Sequence, residues 1–402
     1  MRIITKPILT SILFLIISNF LSCRERSSSG EVNKAAKIDQ IEVDLVNKSV
    51  LKASEIFDEF ELLKLETSDS FYIDRINKVV LEGSRIYLKC NSKILVYDLK
   101  GIPIYAVDAI GEGPSEYPTL SDFLIDRESQ TLEIMSAKGK VARYSLKDGS
   151  YIDGFKHPFI GAYSFYKLDE DNYLFYQGGT INSASNSKLN FYNPHNFQIV
   201  KYLQTPEHVS QFLHFSDLTN FSQVPQQEVS FLYSFSDTIY QFRNKLLEPR
   251  LYIDFGDNAL PFEIKNAEYR DVRDFFEYLK STDYAFRLSG FFESPDYILM
   301  GFWHGDEFNH LLYDKLARKA IVVERIDWDL LGEGLVSNAN FSFLPKGNNG
   351  DKFVFVFPTH LLAELGDEGV FSEQVAQGLG NDLGVGEDPI LFIATGKSQD
   401  DD

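Results

Sequence analysis

The chain has 402 residues, 44% of them hydrophobic and 14% aromatic; that is ample material for a core and excludes wholesale disorder. Its formal net charge is −20, and so acidic a surface repels phosphate backbones, which sets nucleic acid aside as a partner. Length alone allows one large β domain or two ordinary ones.

At the N-terminus, Arg2 and Lys6 precede the apolar run ILTSILFLIISNF, which is too short for an ordinary membrane span. The run ends in Phe20-Leu21-Ser22-Cys23. A small residue followed by Cys resembles the lipobox of bacterial lipoproteins, although Phe20 stands where Leu is usual. The resemblance implies removal of residues 1–22, acylation of Cys23 and attachment to the cell envelope; an ordinary cleaved signal is the plainer alternative. Residues 23–54, with RERSSSGEVNKAAK directly after Cys23, read as a polar tether and linker. They lack an acidic run after Cys23, which favours a periplasm-facing protein and leaves surface exposure open. With Cys23 acylated, Cys90 has no partner for an intrachain disulfide and reads as a small buried filler.

Beyond residue 55 the signal is short alternating runs broken by turns. KVVLEGSRIYLKCNSKILVYDLKGIPIYAV holds four strands. One unit recurs: an apolar residue, two variable positions, then an aromatic. It appears as Ile94 to Tyr97, Val141 to Tyr144, Leu189 to Tyr192 and Ile239 to Phe242, with fainter copies at His310 to Tyr313 and Ile390 to Ile393. The last members lie 47, 48, 50, 71 and 80 residues apart, and the first three intervals match one four-stranded propeller blade. The two long intervals predict helical insertions in blades 5 and 6: residues 266–284, with Asn266 as the N-cap, and residues 359–386. The sixth unit stops after PILFIATGK, one strand short. EFELLKLET at 59–67 is a lone strand that would supply it and close the ring. The fold expected for 55–402 is therefore all-β, a six-bladed β-propeller.

GEGPSEYP at 111–118 sits between two strand runs, where the outer strand of one blade crosses to the inner strand of the next. Its glycines and prolines suit such a turn. The stretch IGEGPSEYPTLSDFLIDRESQTLEIMSAKGKVARYSLKDGSYI resembles the NHL-like repeat, with its glycine-rich junction, an inner strand ending in Asp126 and a Tyr before the closing turn. Together with the lipobox, the chain resembles the six-bladed propeller lipoproteins of Bacteroidota. That resemblance implies a fold and a compartment more than an activity.

HExxH, GxSxG, P-loop, CxxC and EF-hand motifs are absent from the sequence. The seven His show no metal-ligand spacing, so neither a metal nor a cofactor is expected. Phe302-Trp303-His304-Gly305-Asp306-Glu307 is the densest polar-aromatic group. Trp303 could stack on a ligand while His304 and Asp306 bond to it, or the group is a β-turn with Trp303 wedged between blades. Residues 168–172 read as a solvated turn rather than a calcium loop. Glu116 and Tyr117 are the favoured ligand contacts, on a stiffened crossover loop, against a reading in which Tyr117 only packs between blades; Asp122 follows them. The favoured function is an envelope-anchored module that binds an envelope protein or a small glycan or peptide. The alternative is a hydrolase or lyase, which would gather Glu116, Asp122 and His304 around one axial pocket.

Overall fold

The computed structural model describes residues 27–29, 38–178, 186–204, 219–222, 228–332, 336–338, 344–357, 375 and 389–397. Its strands form six sheets that follow one another along the chain as the blades of a six-bladed β-propeller. Blade 1 is the meander Ile76–Glu82, Arg85–Cys90, Lys93–Asp98 and Pro103–Val107. Blade 2 repeats it as Asp122–Asp126, Thr131–Ser136, Lys140–Ser145 and Tyr151–Lys156. The innermost strands of blades 3 to 6 are Ser164–Lys167, Phe221–Ser222, Ala285–Glu293 and Gly347–Asn349.

The recurring unit lies on the third strand of every blade. Residues three apart on a strand point to opposite faces, so each copy serves both neighbouring blades. Ile94 enters the seam between blades 1 and 2, and Tyr97 the seam between blades 6 and 1. Val141 and Tyr144, then Leu189 and Tyr192, then Ile239 and Phe242 divide in the same way. His310 occupies the apolar place and behaves accordingly: it is buried, and desolvation pushes its pKa down to about 4. The sixth copy is shifted by one residue. Leu391 faces the seam with blade 1 and Ala394 the seam with blade 5, whereas Ile390 and Ile393 point the opposite ways. Cys90 is buried in the seam between blades 6 and 1, with its thiol pushed up to about 12 by burial.

The sixth blade draws on both ends of the chain. Phe57–Lys64 pairs antiparallel with Ile390–Gly396 as the outermost strand, and Leu65 N–H continues the contact to Pro389 O at 3.0 Å. The residues before it depart from a free tether. Ser27–Ser29, Asp39–Glu42 and Ser49–Lys52 add in parallel to the outermost strands of blades 3, 4 and 5. Ile41 and Leu51 are both buried. An open sheet edge supplies backbone partners, so one buried apolar side chain suffices to dock each of the polar strands Asp39–Glu42 and Ser49–Lys52.

The insertion before blade 5 is shorter than its periodicity suggests. Phe262–Lys265 is one turn of helix, and Asn266 caps its C-terminus. The main helix is Val272–Lys280, with Asp271 as N-cap accepting from Asp274 N–H. Asn266 is too far upstream to cap it. The helix buries Phe275 and Leu279 with Phe235, Leu260 and Phe286. Of the insertion expected at 359–386, all but Val375 lies outside the described residues.

Candidate functional site

The crossover from blade 1 to blade 2 closes on itself. Gly111 N–H donates to Tyr117 O at 3.1 Å and Tyr117 N–H to Ala109 O at 2.9 Å. Glu116 turns inward and accepts from Gly113 N–H at 2.8 Å. A Cβ on Gly111 would lie 1.9 Å from the Glu116 carboxylate, so this position must be glycine while the carboxylate stays there. Lys140 reaches in from blade 2 and donates to the carbonyls of Gly113, Pro114 and Glu116. Tyr144 OH donates to Ser115 O at 2.8 Å.

Tyr117 is 0% exposed. Its hydroxyl lies 2.9 Å from Ser92 O and 3.0 Å from Val107 O, and its ring meets Tyr144 edge-on at 6.2 Å. Burial pushes the phenol up to about 12. Tyr117 thus offers no exposed ring to a ligand, and Glu116 is engaged within its own loop. The loop is a latch between two blades.

Trp303, His304 and Asp306 belong to the hairpin Tyr297–His304 and Glu307–Asp314. Gly305 takes φ +57° at the turn, and Asp306 is exposed beside it. Trp303 packs against Phe308 at 5.5 Å, and Lys280 Nζ of the main helix lies 5.2 Å from its ring centroid. His304 Nε2 is 3.1 Å from Asp283 Oδ1. The group forms a turn and a seat for the helix. Asp169 likewise accepts from the amides of Asp171 and Asn172, a self-satisfied turn.

The axis presents a different arrangement. Glu82 and Arg85 face each other across a two-residue turn, and the same register sets Lys78 opposite Lys89. Directly opposed residues of an antiparallel pair share a face, and like charges there repel. Asp122 relieves this repulsion. It is 6% exposed and accepts from Lys78 Nζ at 2.8 Å and from the amides of Phe123 and Phe165 at 2.8 and 3.3 Å. Lys89 Nζ donates to Ser121 O. Burial lowers the Lys89 pKa and Lys78 lowers it further, against the pull of Asp122.

Lys78 and Asp122 line an axial cavity of about 270 Å³ together with Ser164, Asn220, Asn348 and Lys346. Lys346 is held by its backbone, whose carbonyl accepts from Val79 N–H at 2.8 Å. Burial, with Arg75 second, depresses its ammonium pKa. Among the described residues Lys346 Nζ has neither a hydrogen bond nor an ion pair. The cavity shares Leu124, Ile125, Tyr166 and Asn348 with a wider funnel of about 630 Å³ at the opposite end of the axis. That rim carries Asp126, Glu128, Asp169 and Glu170 with Arg127 and Lys167. Lys167 bridges Asp126 and the fully buried Glu133.

Of Glu116, Asp122 and His304, then, only Asp122 lines the axial cavity. The lysines escaped sequence reading because Lys346 lies far along the chain from Lys78 and in no motif. The opposition of Lys78 and Lys89 was readable from the GS turn, since a two-residue hairpin fixes the register. Among the described residues no group of three or more His, Cys, Asp or Glu could hold a metal.

The family model for a domain of unknown function, DUF4934, matches residues 38–394, and the chain belongs to that family. No curated protein matches it. Among solved structures, a candidate exported protein from Bacteroides fragilis NCTC 9343 is similar with a TM-score of 0.71 at 20% identity, covering 90% of this chain and 100% of that one; this likeness shows the fold. The WD40 repeats of RRP9 align with a TM-score of 0.39 at 10% identity, over 87% of this chain and 100% of that one.

Proposed function

We propose that this DUF4934 chain is an exported binding protein, held at the cell envelope by a lipid on Cys23, and that a small glycan or peptide fragment lodges in its axial channel. The observation that carries the reading is the wall of that channel. Lys78, Asp122, Ser164, Asn220, Asn348 and Lys346 line open volume there, and Lys346 is the one of them whose side chain has no hydrogen-bond partner among the described residues, whereas Glu116 and Tyr117 of the blade 1–2 crossover are bonded away from any cavity. A concave site with a few convergent polar groups is the usual form of a small-ligand pocket. The resemblance of 78–157 to NHL-like repeats and the candidate exported protein of Bacteroides fragilis agree with this architecture and compartment. Cys23 lies outside the described residues, and its acylation rests on the leader motif.

Two measurements test the reading. Ligand-observed NMR with fragments of envelope glycans and peptides should give saturation transfer in the wild type. Leu124→Trp, which fills the channel, should abolish it at unchanged fold. Transfer that persists in Leu124→Trp would move the ligand off the axis. Wild-type protein should also take up labelled fatty acid while Cys23→Ala does not; equal labelling of the two would remove the anchor.

A further inference from the structure

We infer that the crossover end of the axial channel is a receptor site for one anionic group, a carboxylate, phosphate or sulfate borne by a small ligand. This rests on the axial reading above and gives the ligand its chemistry. Lys78 and Asp122, with Lys89 behind them, stand at the leading end of the innermost strands of blades 1 and 2; Lys346 stands at the same end of blade 6. Three ammonium groups therefore share this end with one buried carboxylate. Asp122 serves Lys78 and two backbone amides, and Lys89 is bonded to a backbone carbonyl. Lys346 Nζ is left without a partner among the described residues.

A cation partly withdrawn from water without a counter-ion costs the fold stability, so its natural complement is a charge brought by a ligand. Lysine suits this task as a mobile point charge that meets carboxylate, phosphate or sulfate alike. The rest of the molecule sharpens the inference. The chain carries a formal −20, and the funnel at the opposite end of the axis has four acids against two bases on its rim. A Debye length of about 8 Å confines that acidity to its own end. The channel is thus polarised, cationic where the blades cross over and acidic at the other mouth. It orients a ligand with its anion toward Lys346 and a neutral or cationic remainder toward Asp126 and Asp169. A cavity of about 270 Å³ limits the portion held there to about one sugar ring or amino acid.

The test uses the full chain in detergent, at constant ionic strength, with inorganic phosphate, sulfate and D-glucuronate as probes and D-glucose as the neutral control. At least one anion should raise the melting temperature by about 2 °C or more and bind measurably by calorimetry, while glucose does neither. Lys346→Gln should weaken that anion about tenfold or more, and Lys346→Arg should stay within about threefold of wild type. Lys346→Gln should also melt higher than wild type when free of ligand, because the unpartnered charge is gone; this readout shows that the variant folds. A response to glucose as large as to every one of the three anions, or anion affinity unchanged in Lys346→Gln, would overturn the inference. If the three anions fail while a neutral fragment binds and is blocked by Leu124→Trp, the axial site stands and its anion preference falls. If neither anions nor any fragment bind, both fall.

Discussion

Lys140 and Lys346 make an instructive pair. Lys140 opens the strand Lys140–Ser145 and Lys346 directly precedes Gly347–Asn349, both at the end of the propeller where the blades cross over, but their ammonium groups meet different surroundings. Lys140 is enclosed by the carbonyls of Gly113, Pro114 and Glu116. Lys346 faces the axial cavity with no such partner among the described residues. The acids differ in place rather than in satisfaction, since Asp122 accepts from Lys78 and two backbone amides. Glu116 is folded back on Gly113 N–H within its own loop, while Asp122 stands in the channel wall holding Lys78. A polar group satisfied locally is part of the scaffold. One positioned by the scaffold but unsatisfied is a candidate for binding.

The comparison can be broken most forcefully at Tyr117. Tyr117→Ala removes a fully buried ring and the hydroxyl between Ser92 O and Val107 O, which should cost about 3–5 kcal/mol in chemical denaturation. Axial ligand affinity in the folded fraction should be unchanged. A large loss of affinity with little loss of stability would return Tyr117 to the site.

Acid should act on the scaffold as well. Burial lowers the pKa of His157 and of His310 to about 4. The unfolded chain protonates each ring near its ordinary value, so between about pH 6.5 and 4 it binds more protons than the folded chain, and stability falls as pH falls. The loss should be on the order of 3 kcal/mol per ring across that window. His157 stacks on Phe175 at 4.6 Å, so His157→Phe should flatten part of the slope. A stability profile flat from pH 7 to 4 in the wild type would contradict this account.

The smallest effect is expected at Glu116. Glu116→Ala frees Gly113 N–H at the surface of the loop and should destabilise by about 1 kcal/mol, with axial affinity unaltered. Weakened binding at unchanged stability would reverse the contrast and restore the crossover loop as the ligand face.

How far the site was legible follows from the range of the interactions. Asp122 stands in the sequence as a titratable group close after the crossover, expected to gather with Glu116 and His304 at an axial pocket, and of the three it alone lines the cavity. Glu116 and Tyr117 drew attention as an acid and an aromatic on a stiffened loop, but composition cannot show that the carboxylate bonds to an amide three residues away. Trp303, His304 and Asp306 looked dense in the sequence because a hairpin turn and a helix seat happen to share one stretch.

What the sequence by itself determined is the propeller. The period-2 alternation and the apolar-to-aromatic unit are local signals, and each copy carries within four residues the two side chains that face the two adjoining seams. Even the displaced sixth copy kept its place on the third strand. What only the tertiary structure decided is which polar groups are satisfied and where the polar N-terminal segment lies. Val79 meets Lys346 O only once the ring is closed, and Ile41 and Leu51 are buried only because blades 4 and 5 present open edges. Strand formation depends on near neighbours, whereas the pairing of a charge depends on every element that surrounds it, and here those elements come from opposite ends of the chain.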